Sequence, residues 1–413
     1  MKPFQLRIGQ AKLRFVQFEI NPHPNSMSKK PMTSRSKISK IHAINSGEWP
    51  RILLVGPLPP PLGGMANQCE QLMRLLKAEG ADVELVCSNS PYRPNFVARV
   101  PVLRAIFRLL YYIGDLWSAA GRAEVMHILA NSGWAWHLVA LPALCVARLR
   151  TVATIVNYRG GLADDFFSTG PRHVLKALSY ATLRITPSAY LFRVFAKHGL
   201  DAEIIPNIVD LSRFYVSAPR IGLLTPHIIV TRNLEPIYDI PTALRAFLRV
   251  IKVYPQARLT VAGSGPELAK LERLCIEMGI EKSVAFPGGI QNSKICELYA
   301  SADFVINPST ADNMPNSILE ALACGVPIIS TCVGGIPDLV EHGVTALLVE
   351  VGDDEAMAQQ ILDLMTYPDR ADALRAAGQE EVQRYDWSNI RDQWRSAYQR
   401  ARQAQLLLSG QVV

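Results

Sequence analysis

Two carboxylates eight positions apart, Asp312 and Glu320, bracket the stretch Asp312-Asn-Met-Pro315-Asn316-Ser317-Ile318-Leu-Glu320. Asp312 lies in a polar loop that follows an apolar run ending at Asn307. Glu320 stands inside an apolar segment, with Ile318, Leu319, Leu322 and Ala323 recurring at helical spacing. A carboxylate buried there without a partner costs several kcal/mol, so a hydrogen-bonding partner such as a ribose hydroxyl pair is expected. Pro315 suits the first turn of the helix, because proline lacks the donor which that position leaves unpaired. The N–H groups of Asn316 and Ser317 then form a candidate phosphate cradle at the helix start. A second glycine-rich loop ends at Gly63-Gly64. It suits either close approach of backbone N–H groups to an anion or a plain tight turn.

The elements that must hold these groups alternate strand and helix. Residues 51–55, 83–87, 124–129, 151–156 and 182–187 read as short strands and 204–210 as a last one, with helices at 66–79 and 135–149. After a linker at 217–225 the alternation restarts, with strands 227–230, 258–262, 284–286 and 304–307 and helices 241–254, 267–278 and 293–301. Two such series predict an α/β architecture: two doubly wound parallel-sheet domains facing a cleft. Ligands of such sheets sit at the carboxyl ends of the strands. The expected organisation is a basic, disordered tail over 1–47, a first domain over 48–216, a second over 222–385, and a C-terminal helix over 386–413. Trp387 and Trp394 lie in the helical pattern of that last segment, which is expected to pack back towards the first domain. His127 and His137 are isolated and fit core or surface histidines; read as ending its strand, His127 faces the cleft.

Composition narrows the class. A chain of 413 residues with 49% hydrophobic and 19% charged residues can build two sizeable cores. The net charge of +7 is uneven, because residues 1–47 carry nine Lys or Arg against the single acid Glu19. Such a tail is a solvated arm or a contact for anionic lipid. No aromatic-basic platform accompanies it, so nucleic acid is not an expected partner. Residues 97–117 are apolar with Arg99, Arg104 and Arg108; Ile106, Leu109, Leu110 and Ile113 fall opposite Arg104 and Arg108 on a helix. This pattern fits a helix lying on an anionic membrane or one packed on the sheet. The seven scattered cysteines lack any C-x-x-C spacing, which predicts buried thiols in a reducing compartment and no zinc site. No run reaches bilayer-spanning length and no signal-peptide pattern opens the chain, so the expected location is the cytoplasm, with the inner face of the membrane as a further possibility. The P-loop, zincin and nucleophile-elbow motifs are absent. Gly263-Ser-Gly265-Pro-Glu267 lacks the third glycine of a dinucleotide fingerprint.

In order along the chain come Gly63-Gly64, Pro206-Asn207-Ile-Val-Asp210, Arg232, Gly263-Ser-Gly265-Pro-Glu267, the Asp312–Gly325 stretch and Val333-Gly-Gly-Ile-Pro-Asp338. Together they resemble the retaining glycosyltransferases of family 4, over residues 51–402. The resemblance implies the GT-B fold and transfer of a sugar from a nucleotide-diphosphate sugar to an acceptor hydroxyl, with a glycan or lipid-linked acceptor in polysaccharide assembly. It implies neither a metal nor another cofactor. Alternative readings are a catalytically impaired glycan- or membrane-binding relative and a nucleotide-sugar epimerase on the same fold.

Residue by residue, Glu320 matches the glutamate that holds the ribose, and Asp312 stands where the family has a glutamate touching the transferred sugar. Gly63 and Gly64 match the loop that approaches the diphosphate. Gly265 and the backbone of Asn316, Ser317 and Ile318 belong with them on the donor side. Arg232 matches the cation that neutralises the leaving diphosphate. The lysine usual a few residues on is missing, and Tyr238 aligns there. Arg159 stands where many relatives have a histidine, and would supply the absent positive charge; His127 and Tyr158 join it on the acceptor side.

Overall fold

The computed structural model describes residues 48–60, 63–90, 101–214 and 225–410, with side chains in the helix Pro101–Ala120 described from residue 107. The 1–47 tail, the linker core and the start of the expected 97–117 helix, Arg99 included, lie outside the described residues, as does the Arg104 side chain.

The first half forms a six-stranded sheet from β1 (Ile52–Gly56), β2 (Val83–Cys87), β3 (Val125–Ala130), β4 (Ala153–Tyr158), β5 (Leu183–Thr186) and β6 (Glu203–Ile204), in the order β2-β1-β3-β4-β5-β6. The second half forms another from β7 (His227–Val230), β8 (Arg258–Val261), β9 (Val284–Ala285), β10 (Phe304–Asn307), β11 (Ile328–Thr331) and β12 (Leu347–Val349), in the order β12-β11-β10-β7-β8-β9. Every pairing between these strands is parallel. Central strands such as β1 and β3 are buried along their whole length, as apolar runs covered by helices on both faces must be. In each sheet the winding reverses once, between β1 and β3 and between β7 and β10. These are the points where an open α/β sheet leaves a crevice at its carboxyl edge. The loops after β1, β3, β7 and β10 carry Gly63-Gly64, Asn131, Arg232 and Asp312 respectively.

Three expectations change. The expected strand 204–210 is only β6, because Pro206 has no N–H to donate to a ladder. Beyond it Val209 N–H donates instead to Tyr385 O, 2.9 Å away. The expected helix 135–149 divides into a π-helical turn, Trp136–Ala140, and an α-helix, Leu141–Leu149. Pro142 lies in the first turn of the latter and interrupts the α ladder. The cysteines form no disulfide among the described residues, but Cys145 and Cys332 are exposed, so the thiols are not uniformly buried.

The helix Trp387–Leu408 lies against the first sheet. Trp394 and Tyr398 are fully buried, and the Trp394 ring lies 4.8 Å from the His127 ring. Trp387 Nε1 donates to Glu79 Oε1 at 3.1 Å. No helix among the described residues is long and apolar enough to cross a membrane.

Candidate active site between the two sheets

The Arg232 loop and the Asp312 loop are each seated on the loop of a neighbouring strand by backbone packing that leaves no room for side chains. A Cβ on Gly263 would stand 1.9 Å from Arg232 O, and one on Gly334 would stand 1.8 Å from Asp312 O. These two glycines therefore hold the loop after β7 against the one after β8, and the loop after β10 against the one after β11. Arg232 Nη2 pairs with Asp312 Oδ2, and Arg232 Nη1 donates to Ser317 Oγ at 3.3 Å. Both ion-pair side chains are nearly buried, at 10% and 12% exposure. Burial raises the Asp312 pKa above the ordinary carboxylate value, while Arg232 pulls it the other way. The guanidinium also stacks on Tyr238, with Cζ 4.2 Å from the ring centroid. Its Nε is buried and has no hydrogen-bond partner.

Glu320 is half-buried, just over one turn into the helix Asn316–Ala323. Pro315 caps this helix in an extended conformation and does not enter its first turn. The expected partner of Glu320 exists within the protein: Tyr299 Oη donates to Glu320 Oε2 at 3.0 Å, and Thr231 Oγ1 lies 2.8 Å from the same phenol. Burial pushes the Glu320 carboxyl up to about 7, opposed by the Tyr299 bond and by Arg213 and Arg232. Gly63, Gly64, Arg232, Ser317 and Glu320 line one cavity of about 120 Å³. Across it, Asn316 Nδ2 donates to Gly64 O at 3.0 Å, tying the two halves of the protein together.

A second cavity, of about 200 Å³, shares Gly64, Arg232, Tyr238 and Asn316 with the first and adds Asp312 and Arg159. Arg159 donates to Asn207 Oδ1, and burial lowers its pKa to about 10. Asn207 Nδ2 in turn donates to Met314 O at 2.8 Å and Asn316 Oδ1 at 2.9 Å. Asn207 is thus the hub between the halves, a position marked in the sequence only by its Pro206-Asn207 context.

Several predicted site residues lie elsewhere. His127 is in the middle of β3, completely buried, with Nδ1 2.7 Å from Tyr398 Oη. Burial pushes its pKa down to about 3, so it is a neutral core residue and does not face the cleft. Tyr158 belongs to β4, fully buried, with its hydroxyl 2.8 Å from Ser132 Oγ. Both expectations failed because the strands are covered on both faces. Gly265 lines neither cavity; a Cβ there would lie 2.3 Å from Leu234 O, so it serves packing of the loop. The Ile318 side chain is fully buried beneath its helix, leaving only backbone for a ligand. Tyr299, the linking role of Asn207 and the Arg232–Tyr238 stack were not anticipated.

Residues 225–367 match the family described as Glycosyl transferases group 1, and residues 62–213 match Glycosyltransferase Family 4. The N-acetyl-alpha-D-glucosaminyl L-malate synthase of Bacillus anthracis is 32% identical over 335 residues, covering 74% of this chain and 85% of that protein. The chain belongs to the group 1 family 4 glycosyltransferases. Another relative is the GDP-mannose-dependent alpha-(1-6)-phosphatidylinositol monomannoside mannosyltransferase of Mycolicibacterium smegmatis, 30% identical over 72% of this chain and 73% of its own. Among solved structures, Anabaena HepE in complex with UDP and glucose superposes with a TM-score of 0.65 at 20% identity, over 84% of this chain and 99% of that one. The sucrose-phosphate synthase of Thermosynechococcus elongatus gives a TM-score of 0.65 at 20% identity, over 84% and 98%. These likenesses establish the GT-B fold. Among the described residues no group of three His, Cys, Asp or Glu side chains converges as a metal site.

Proposed function

We propose that this glycosyltransferase moves a sugar from a nucleoside-diphosphate sugar to a hydroxyl of a glycan or lipid-linked acceptor, with retention at the anomeric carbon. The observation that carries the reading is the Arg232 guanidinium. It is fixed by Asp312, Ser317 and Tyr238, its Nε is a buried donor lacking an acceptor, and it lines both cavities. An anion between Gly64 and the start of the Asn316–Ala323 helix would meet this cation and free backbone N–H groups together. Glu320 lies in the same cavity to accept hydrogens from the ribose hydroxyls. Relatives and structural neighbours that use GDP-mannose or hold UDP support such a donor.

In the reaction, the acceptor oxygen bonds to the anomeric carbon on the face from which the diphosphate departs. The bond between that carbon and the diphosphate oxygen breaks, and its electron pair leaves with the diphosphate. The acceptor proton passes to a diphosphate oxygen. Negative charge grows on the leaving group, and fixed cations that wait for it lower the barrier. Arg232 has this role, and Arg159 supplies the second charge in place of the family's lysine. We assign no metal or other cofactor to this step. The proposed setting is the inner face of a membrane, and the exposed Phe107, Leu110, Tyr111 and Trp117 on the Pro101–Ala120 helix support peripheral contact with it. Leu110 is thus on the outer face of this helix, apart from Leu109 and Ile113, which pack against the core.

The test is nucleoside diphosphate release from UDP- and GDP-sugars in the presence of a membrane extract, with NMR of the product linkage. Release with an α-donor giving an α-product supports the reading; an inverted product or no release with any donor overturns it. Arg159→Ala is expected to lower turnover at saturating donor, and unchanged turnover removes Arg159 from the mechanism.

A further inference from the structure

A third cavity, of about 430 Å³, lies in the first half of the protein between the helix Pro101–Ala120 and the π-turn Trp136–Ala140. Its size falls within the range of ligand pockets, about 300–1,000 Å³. Met65, Leu109, Tyr112, Leu129, Leu138 and Val139 make its walls chiefly apolar. Met65 and Asn131 also line the cavity that contains Asp312 and Arg159, so the two spaces are neighbours with these side chains on their shared border. At the outer end Trp134 and Leu138 are exposed, at 78% and 46%. The π-turn shapes this wall: it directs Val139 O to the Tyr112 hydroxyl, 3.0 Å away, and so clamps the two helices either side of the space. π-turns inside helices recur at functional sites. Arg108 is the one cation among the described lining residues; it donates to Ser88 O at 2.9 Å and borders the cavity.

We infer that this cavity holds the hydrocarbon chain of an amphiphilic acceptor. The chain fills the apolar space, a phosphate next to it meets Arg108, and the accepting hydroxyl reaches past Met65 and Asn131 to Asp312. The inference rests on the proposed transfer for the direction of the hydroxyl end, but the chain site is defined by its own walls. A hydrocarbon chain covering these apolar walls removes apolar surface from water on both sides, whereas a polar acceptor would give up its hydration there for few hydrogen-bond partners. The cavity therefore selects lipid-linked acceptors over free sugars.

The experiment is calorimetric titration of the full-length protein with hexyl, octyl and decyl phosphate, each below its micelle concentration, and separately with UDP and GDP. Affinity is expected to rise up to about fourfold per methylene, the fold-change that about 0.8 kcal/mol per buried CH₂ represents. Ala135→Trp and Leu138→Gln alter exposed positions on the cavity lining. Each is expected to weaken decyl phosphate at least tenfold and leave nucleotide affinity within twofold. Arg108→Gln should weaken all three alkyl phosphates by a similar factor. A series flat with chain length, or one that neither lining variant moves, overturns the chain site while nucleotide binding keeps the transferase reading intact. A chain-dependent series in a protein that binds neither nucleotide supports the chain site and counts against the donor reading.

Discussion

The two sides of the cleft are built on opposite principles. On the second sheet's side, Arg232, Asp312, Ser317, Tyr299 and Glu320 are joined by hydrogen bonds and an ion pair in little volume. On the first sheet's side, the cavity beside the Pro101–Ala120 helix is wide and mostly apolar. A rigid polar network suits charge that appears at one place during a reaction, since its dipoles need not reorganise. An apolar space with one cation suits a ligand identified by shape and hydrophobicity, where variation among acceptors is tolerated. The contrast implies that substitutions on the polar side change rate and nucleotide affinity steeply, while those on the apolar side change which acceptor is used.

The largest effect should come from Arg232→Ala. In the proposed mechanism, loss of the fixed cation that meets the leaving group is expected to lower kcat by about 10²–10³. It also leaves Asp312 nearly buried without its partner, at a stability cost of about 3–5 kcal/mol. Thermal unfolding separates the two consequences. The double substitution Arg232→Ala with Asp312→Asn should recover much of the lost stability and none of the activity. Recovery of activity along with stability would remove Arg232 from the chemistry.

The same contrast explains what could be read from the sequence. Asp312, Glu320, Gly64 and Arg232 follow strand ends and open or border helices, so backbone rules placed them where β1, β7 and β10 end. The two alternating series likewise gave both sheets, because parallel strands covered on both faces leave short apolar runs between amphipathic helices. Tyr299 escaped, since a tyrosine in an apolar helix reads as core and it is indeed buried; only packing of Ile295–Ser301 against Asn316–Ala323 brings its hydroxyl to Glu320. The apolar cavity was equally unreadable. Met65, Leu109, Leu129 and Leu138 come from four separate segments, and each looks like an ordinary core residue. His127 was misplaced for a related reason: the helix Trp387–Leu408 closes the face of β3 that an open sheet would present to the cleft.

A smaller effect, and one with a distinct pH signature, belongs to Glu320. Its carboxyl titrates near 7 in the free protein because burial disfavours the charge. The sign follows from the raised value. Between the unfolded value of 4.5 and about 7 the unfolded chain releases its proton first, so this group's contribution to stability falls as pH rises through that window. In the proposed donor mode nucleotide binding runs the opposite way, because the ionised carboxylate is the form that would accept both ribose hydroxyls. With a pKa near 7, nucleotide affinity should be about tenfold weaker at pH 6 than at pH 8. Glu320→Gln should flatten this dependence and hold affinity near the weak, low-pH level. Calorimetry across this range checks it, and a wild-type profile as flat as the variant's would place the ribose elsewhere.

The finest test concerns Tyr238, where polar and apolar styles meet. The ring supports the face of the Arg232 guanidinium and lines both cavities on the second sheet's side. A partly desolvated cation–π contact contributes about 0.5–2 kcal/mol. Tyr238→Phe keeps the ring face and should leave kcat/KM nearly unchanged, whereas Tyr238→Leu should lower it by about 2- to 30-fold, the range that contact energy spans. Tyr238→Lys restores the cation usual in the family but removes the ring and sets two like charges side by side. If the stack orients Arg232, the lysine variant performs no better than leucine. If the position contributes only charge, lysine should exceed the wild-type rate, and the stacked tyrosine would then be a weak substitute for a cation and not a support for Arg232.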